Sequence, residues 1–248
     1  MGTVVTFDLY DDRGFFDEAV DVAFAKAAAT LHEVDRVFST WKPESEVSRL
    51  RRHEIGLERL SEAVLEVLDE CRHAKELTRG WFDPWALDGG VDPTGYVKGW
   101  AAQRALGELA GLGATGAIVN AAGDVAVLGR PGAAESFRVG VVNPFDRSTL
   151  SCVVEVTSGL ATSGDYERGA HLINPFTGVA RASVSSASVC GPDLGLADAF
   201  ATALAVGGNT VLEMIEDVKE YEALIIHHDR SWRATAGFAL VSDVDVSG

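Results

Sequence analysis

The chain has 248 residues, 47% of them hydrophobic, enough to bury a sizeable core without division into separately folding units. Its formal net charge of −16 argues against nucleic acid and anionic membrane as partners, because binding to phosphate backbones relies on cationic side chains displacing counterions. No run of about 18 apolar residues is present, and the opening MGTVVTFDLYDD lacks the basic-then-apolar order of a secretory signal. The expectation is one domain over residues 1–248, with no stable membrane insertion and a cytoplasmic location.

In chain order, TVVTFDLY alternates as a strand does, and from Asp17 onward Val20, Phe24, Ala27, Leu31 and Val34 recur at helical spacing. The stretch WKPESEVSRLRR is polar and reads as a loop. Ser61 can cap a second helix with Val64, Val67, Leu68 and Cys71 on one face, and Gly80 can end it. A third helix fits Gly95 to Ala110. Short apolar runs follow between glycines, AIVN, DVAVLG, FRVGVV and CVVEV, and they read as strands. SVSSASV leads through Gly191, Pro192 and Asp193 into the helical run LADAFATALAVGG. Thr210 and Glu213 offer a capping box for one more helix, and ALIIHH and FALV close the chain as strands. Helices and strands are partly segregated, which favours an α+β fold with mixed or antiparallel sheets over a doubly wound one.

Cys71, Cys152 and Cys190 are odd in number, widely spaced and set in apolar or helical patterns, so buried free thiols are expected. No CxxC pair or tight Cys/His cluster suggests zinc. His227 and His228 end an apolar run and read as an exposed strand end.

Three segments carry chemistry. In LADAFATAL, Asp198 and Thr202 are one helical turn apart and share a face. Both offer oxygen, as magnesium requires; the alternative is a solvated Asp198 with Thr202 bonded back to a carbonyl one turn earlier. In VDPTGYVKGWAAQRA, Pro93 disfavours helix before it, so a helix beginning near Thr94 or Gly95 leaves N–H groups beside Lys98 for an anion, or is simply capped with the lysine in solvent. In SGDYERGAHLINPFTG, a polar turn bears Ser163, Asp165 and Tyr166, and His171 follows as either a functional or a structural histidine.

Taken in order, FSTWKPESEVSRL, WFDP, VDPTGYVKGWAAQRA, IVNAAGDVAVLG, LATSGDYER, HLINPFTG and LADAFATALAVGG resemble the ApbE-type FAD:protein FMN transferases over nearly the whole chain. The resemblance implies an α+β fold binding FAD with magnesium at its diphosphate. Asp198 and Thr202 match the family's metal ligands, and Gly95 matches a position contributing a backbone carbonyl. Lys98 and Asp92 fall in one flavin-contacting segment, and Phe82 and Asp83 in another. Trp41 stands where a tyrosine that contacts the isoalloxazine is usual. Met1 matches a flavin-contacting methionine. Ser163, Gly164 and Asp165 line the site, and His171 matches the proposed catalytic base, with Asp165 as a second candidate or an orienting group. The implied acceptor is a protein hydroxyl of Ser or Thr, and the implied products are AMP and a phosphoester-linked flavoprotein.

Departures from the family pattern concern contacts around this site. VDPTG stands in place of a glycine-rich Asp-x-Gly-Gly stretch, the spacer between SGDY and His171 is short, and Asn174 replaces a frequent aspartate. Two other readings use the same residues: an FAD diphosphatase in which water replaces the acceptor hydroxyl, and a protein that binds FAD without cleaving it.

Overall fold

The computed structural model describes residues 3–11, 18–86, 89–133, 136–164, 172–241 and 244–245. The chain opens with β1 (Val5–Tyr10) and helix α1 (Glu18–Phe38). In α1 the stripe Val20, Ala23, Ala27, Leu31, Val34 and Phe38 is buried, with Glu18 and Asp21 in the first turn and Arg36 in the last, as the helix dipole favours. Asp17, the expected start of this helix, lies outside the described residues.

The segment read as a loop contains a helix, α2 (Glu46–Arg51). The Ser45 hydroxyl caps it by accepting the Ser48 N–H at 3.0 Å, and Val47 is fully buried beneath it. Six residues are too few to display a periodic stripe, which is why the pattern reads as polar. Helix α3 (Glu62–Leu77) follows Ser61, but the Ser61 side chain makes no capping bond. Its backbone N–H instead donates to the Glu46 carboxylate at 2.7 Å, tying the start of α3 to α2. At the other end Gly80, at φ +86°, donates its N–H to the Lys75 carbonyl at 2.8 Å and stops the helix as expected.

Helix α4 (Thr94–Gly107) precedes the strands β2 (Gly116–Ala121), β3 (Asp124–Gly129), β4 (Phe137–Val142), β5 (Leu150–Val156), β6 (Gly159–Gly164) and β7 (Ser186–Gly191). Helices α5 (Leu194–Gly207) and α6 (Asn209–Ile215) and the strands β8 (Glu222–Ile226) and β9 (Trp232–Ala234) complete the order. The Thr210–Glu213 capping box does not form. Gly208, at φ +56° and ψ −133°, turns the chain between the two helices and is itself the N-cap of α6, so Thr210 falls inside that helix. FALV is not a strand; Leu240 makes an isolated bridge to Val154, and the last strand is the shorter WRA segment.

Seven strands form one sheet in the order β1-β2-β3-β6-β7-β8-β9, every pair antiparallel, and β4 and β5 form a separate hairpin. The helices cover one face of the large sheet. That face presents Ala117, Ala121, Ala126, Ala161, Ala187 and Ala223, all essentially buried, which lets the alanine-rich α5 lie close to the strands. The opposite face offers Val125, Val127, Leu160 and Leu224 to a second core with Phe137, Val141, Cys152, Val154 and Phe238. The β4–β5 hairpin thus caps the sheet like a lid, and the chain is α+β.

Glycines bring α4 and α5 together. A Cβ on Gly99 would lie 2.2 Å from the Leu194 carbonyl oxygen, and one on Gly195 would lie 2.6 Å from the Tyr96 ring. Each helix therefore lends the other a bare backbone patch, and Lys98 and Asp198 stand beside the one at Gly99.

Candidate functional site

Asp193 caps α5 by accepting the Leu196 N–H at 2.8 Å, so the helix presents Asp198 one turn later on its inner side. Asp198 is only 2% exposed, and its Oδ2 accepts the Gly99 N–H of α4 at 3.1 Å. Thr202 lies one turn on. Among the described residues its hydroxyl makes no hydrogen bond, so the back-bonded alternative is not adopted. A Cβ on Gly95 would be 3.0 Å from Thr202 Oγ1 and 3.2 Å from Phe82 Cε2, so Gly95, Thr202 and Phe82 converge at the start of α4.

Lys98 extends from the same end of α4. Its Nζ lies 3.1 Å from Oδ2 of Asp124, a carboxylate with no solvent exposure and absent from the residues that the motifs single out. Asp124 is placed by the tight β2–β3 hairpin, whose two loop residues Ala122 and Gly123 sit at φ +51° and +98°, the left-handed region a type I′ turn demands. Its Oδ1 accepts the Thr162 N–H of β6 at 3.3 Å, and its carboxyl is an electrostatic neighbour of Asp198. Ser163 and Gly164 follow Thr162 at the end of β6, both buried, so the site-lining stretch runs directly off this cluster.

Burial pushes the Asp198 carboxyl well above the usual carboxylate range, and the neighbouring Asp124 adds to it; Lys98 and the Gly99 N–H pull the other way. Burial also raises Asp124, outweighing the attraction of Lys98. Among the described residues, two buried carboxyls thus share Lys98. Such a cluster has unmet demand for positive charge, and the Asp198 carboxylate and Thr202 hydroxyl beside Gly95 are hard oxygen donors of the kind magnesium takes. The donor set fits that ion.

Other expected residues have visible structural partners. Asp83 accepts the Trp85 N–H at 3.0 Å and lies 2.8 Å from Lys75 Nζ. Asp92 accepts the Thr94 N–H at 3.1 Å and lies 3.3 Å from Arg51 Nη1, which fixes the entry into α4 after Pro93. Trp41 is 91% exposed on the turn between α1 and α2, so it is not packed on the cluster. Met1, Asp165, Tyr166 and His171 lie outside the described residues.

The cysteines behave as structural thiols. Cys71 and Cys152 are buried and Cys190 half-buried, all unbridged, and burial raises each, Cys152 to about 11 and Cys190 to about 12. His227 and His228 stand at the exposed end of β8 as expected, with the His228 ring Nδ1 2.8 Å from Ser185 Oγ. No helix among the described residues is long and apolar enough to cross a membrane.

The ApbE family model matches residues 1–88 and 86–225. The chain belongs to the ApbE family. Over 127 residues it is 36% identical to the FAD:protein FMN transferase of Rhodobacter capsulatus, a match that spans 48% of this chain and 24% of that protein. Its fold matches the flavin transferase ApbE from Vibrio cholerae with a TM-score of 0.80 and 22% identity, covering 94% of this chain and 93% of the other. The ApbE protein from Thermotoga maritima gives 0.77 and 21%, with 94% and 93% covered. The flavinyl transferase ApbE of Pseudomonas stutzeri in its apo form gives 0.77 and 20%, with 95% and 91% covered. The ApbE-type motifs and the α+β fold read from them are therefore borne out.

Two residues of this cluster went unread in the sequence. Asp124 follows a turn glycine and looks like ordinary hairpin chemistry. A charged residue leading directly into the apolar run VAV was the available signal. Gly99 follows Lys98 in a helix, and nothing local marks it as the point of contact with α5.

Proposed function

We propose that this chain is a magnesium-dependent FAD:protein FMN transferase, which cleaves FAD and attaches FMN through a phosphoester to a Ser or Thr hydroxyl of an acceptor protein. The observation that carries this reading is the convergence of Asp198, Thr202 and Gly95 beside Lys98, in a chain of the ApbE family. Asp198, Thr202 and the Gly95 carbonyl would hold the ion. The chemistry it supplies when bound is charge neutralisation on the diphosphate and on the departing AMP.

The chain's own residues do the remaining work. Lys98, whose side chain is 16% exposed, offers its ammonium to a phosphate oxygen from the first turns of α4, where the helix dipole also favours an anion. Phe82 packs at the Gly95–Thr202 junction and forms an apolar wall for the flavin half. Ser163 and Gly164 line the approach from β6, with Trp41, Asp83, Asp92 and Met1 as further flavin contacts. His171 takes the proton from the acceptor hydroxyl as its oxygen attacks the phosphorus on the FMN side. Asp165 orients His171 or replaces it as base. The phosphorus–oxygen bond to AMP breaks, and AMP leaves with the electron pair. A histidine titrates near neutral pH, which suits this step.

The test incubates the protein with FAD, magnesium and an acceptor bearing a Ser or Thr in a D-x-x-(S/T)-G-A-(T/S)-like segment. Flavin fluorescence on the denatured acceptor, with AMP released in equal amount, is the expected result. Free FMN and AMP over an unlabelled acceptor would establish the diphosphatase instead. Tightly bound, intact FAD would leave a binding protein.

A further inference from the structure

We infer that Asp124 is a positioning residue that locks Lys98 and Asp198 into one unit, so that the diphosphate-facing cation and the metal-facing carboxylate are set together. The inference rests on the proposed function for its substrate, but its evidence is geometric. Asp124 has no exposure and cannot touch FAD, whereas the Lys98 side chain beside it keeps 16%. Its two oxygens face different neighbours: Oδ1 takes the Thr162 N–H at 3.3 Å, and Oδ2 lies 3.1 Å from Lys98 Nζ. The charge of the same carboxyl acts on Asp198, whose own Oδ2 is held by the Gly99 N–H, the residue next to Lys98.

The arrangement closes a ring through three elements. The ion pair joins Lys98 on α4 to Asp124 on β3, and the Gly99 N–H next to Lys98 joins α4 to Asp198 on α5, so that the two carboxyls are electrostatic neighbours. The side chain of Asp124 is itself over-determined by the type I′ turn before it and the β6 backbone beside it. A buried carboxylate is costly unless compensated, and a role confined to packing would be met better by an apolar residue of similar size. What the carboxylate does that an apolar residue cannot is hold an ammonium in one place. Groups behind metal ligands act in this manner, and their loss costs on the order of 10–100-fold in metal affinity or activity.

The test uses the whole chain and the variants Asp124→Asn, Lys98→Met and the double substitution. Thermal unfolding is followed with ADP present, which carries a diphosphate but no flavin to transfer, while magnesium is titrated; FAD turnover is measured in parallel. Asp124→Asn should keep the metal-free unfolding midpoint close to that of the wild type. It should raise the magnesium concentration for half-maximal stabilisation by about 10–100-fold and lower kcat by a similar factor. The double variant should be no worse than the more damaging single one, as for residues acting as a unit. Wild-type magnesium response and kcat in Asp124→Asn would overturn the inference, as would multiplied losses in the double variant or a metal-free midpoint that falls together with activity. If the wild type itself neither responds to magnesium nor cleaves FAD, the proposed function fails instead, and the two failures are distinct.

Discussion

Gly99→Ala is the sharpest probe of the link between fold and site. A Cβ there would meet the Leu194 carbonyl oxygen at 2.2 Å and Asp198 Cβ at 3.1 Å. The first of these is backbone at the start of α5 and cannot rotate aside, so the helices must separate by about 1 Å to restore an ordinary contact. Overpacking of this kind costs about 1–3 kcal/mol. The contact is severe, so the upper end applies; replacing a helical glycine by alanine returns roughly 1 kcal/mol. The net expectation is a loss of about 2 kcal/mol. The same movement stretches the Gly99 N–H···Asp198 bond, now 3.1 Å, and turns the carboxylate away from Thr202. Gly107→Ala is the control, because it lies in the same helix with nothing within 4 Å of the added carbon. It should be neutral or stabilising by up to about 1 kcal/mol, with full activity. Urea unfolding at fixed pH gives the two stabilities, and FAD turnover at saturating magnesium gives the activities. A Gly99→Ala protein as stable and active as Gly107→Ala would refute the claim that the α4–α5 contact sets the position of Asp198.

Asp198→Ala should abolish magnesium-dependent turnover while the protein remains folded by circular dichroism; undiminished activity would remove Asp198 from the metal site. His171→Ala should lose most of its rate with FAD affinity largely kept, as read by flavin fluorescence, and an equal loss of binding would point to a positioning role. Thr78→Val leaves the Phe82 N–H, now bonded to Thr78 Oγ1 at 3.0 Å, without its acceptor in a buried place. It should cost about 1–3 kcal/mol in chemical unfolding; an unchanged midpoint would show that this bond does not anchor the Phe82 segment. Asp198 also sets a pH dependence for the metal-free protein. Its folded pKa lies above the unfolded value of about 3.9, so the folded state binds the proton more tightly. Its stabilising contribution is complete below about pH 3.9 and is lost as pH rises through the raised folded value. Relative to Asp198→Asn, the wild type should therefore lose stability as pH rises above about 4 in the absence of divalent ions, and a constant difference across a denaturation series would contradict the assignment.

Much of the helical layer was legible because its signals are local. The stripes of α1 and α3 recur at helical spacing within single segments, and LADAFATALAVGG after Asp193 reads as helical from its own residues. The strands β2 to β5 stood out as apolar runs between glycines. Where the reading failed, the deciding partner was distant or the element was too short to show a pattern. Glu46 takes the Ser61 N–H, Ser45 caps a helix too short to show a pattern, and β6 is small and polar in sequence yet buried along its whole length between β3 and β7.

By itself the sequence determined that Asp198 and Thr202 share a helix face, since one turn of α-helix guarantees it. It also determined that Lys98 stands near the start of α4, because Pro93 limits where that helix can begin. What surrounds these residues was decided by tertiary structure alone. The bare backbone at Gly99 and Gly195 lets α4 and α5 touch, and the β2–β3 turn brings Asp124 between them. Burial then transforms ordinary side chains: a carboxylate that would be fully hydrated in the unfolded chain is stripped of water beside a second one and Lys98. Desolvation belongs to no residue and no spacing, so it becomes visible only when all three elements are in place.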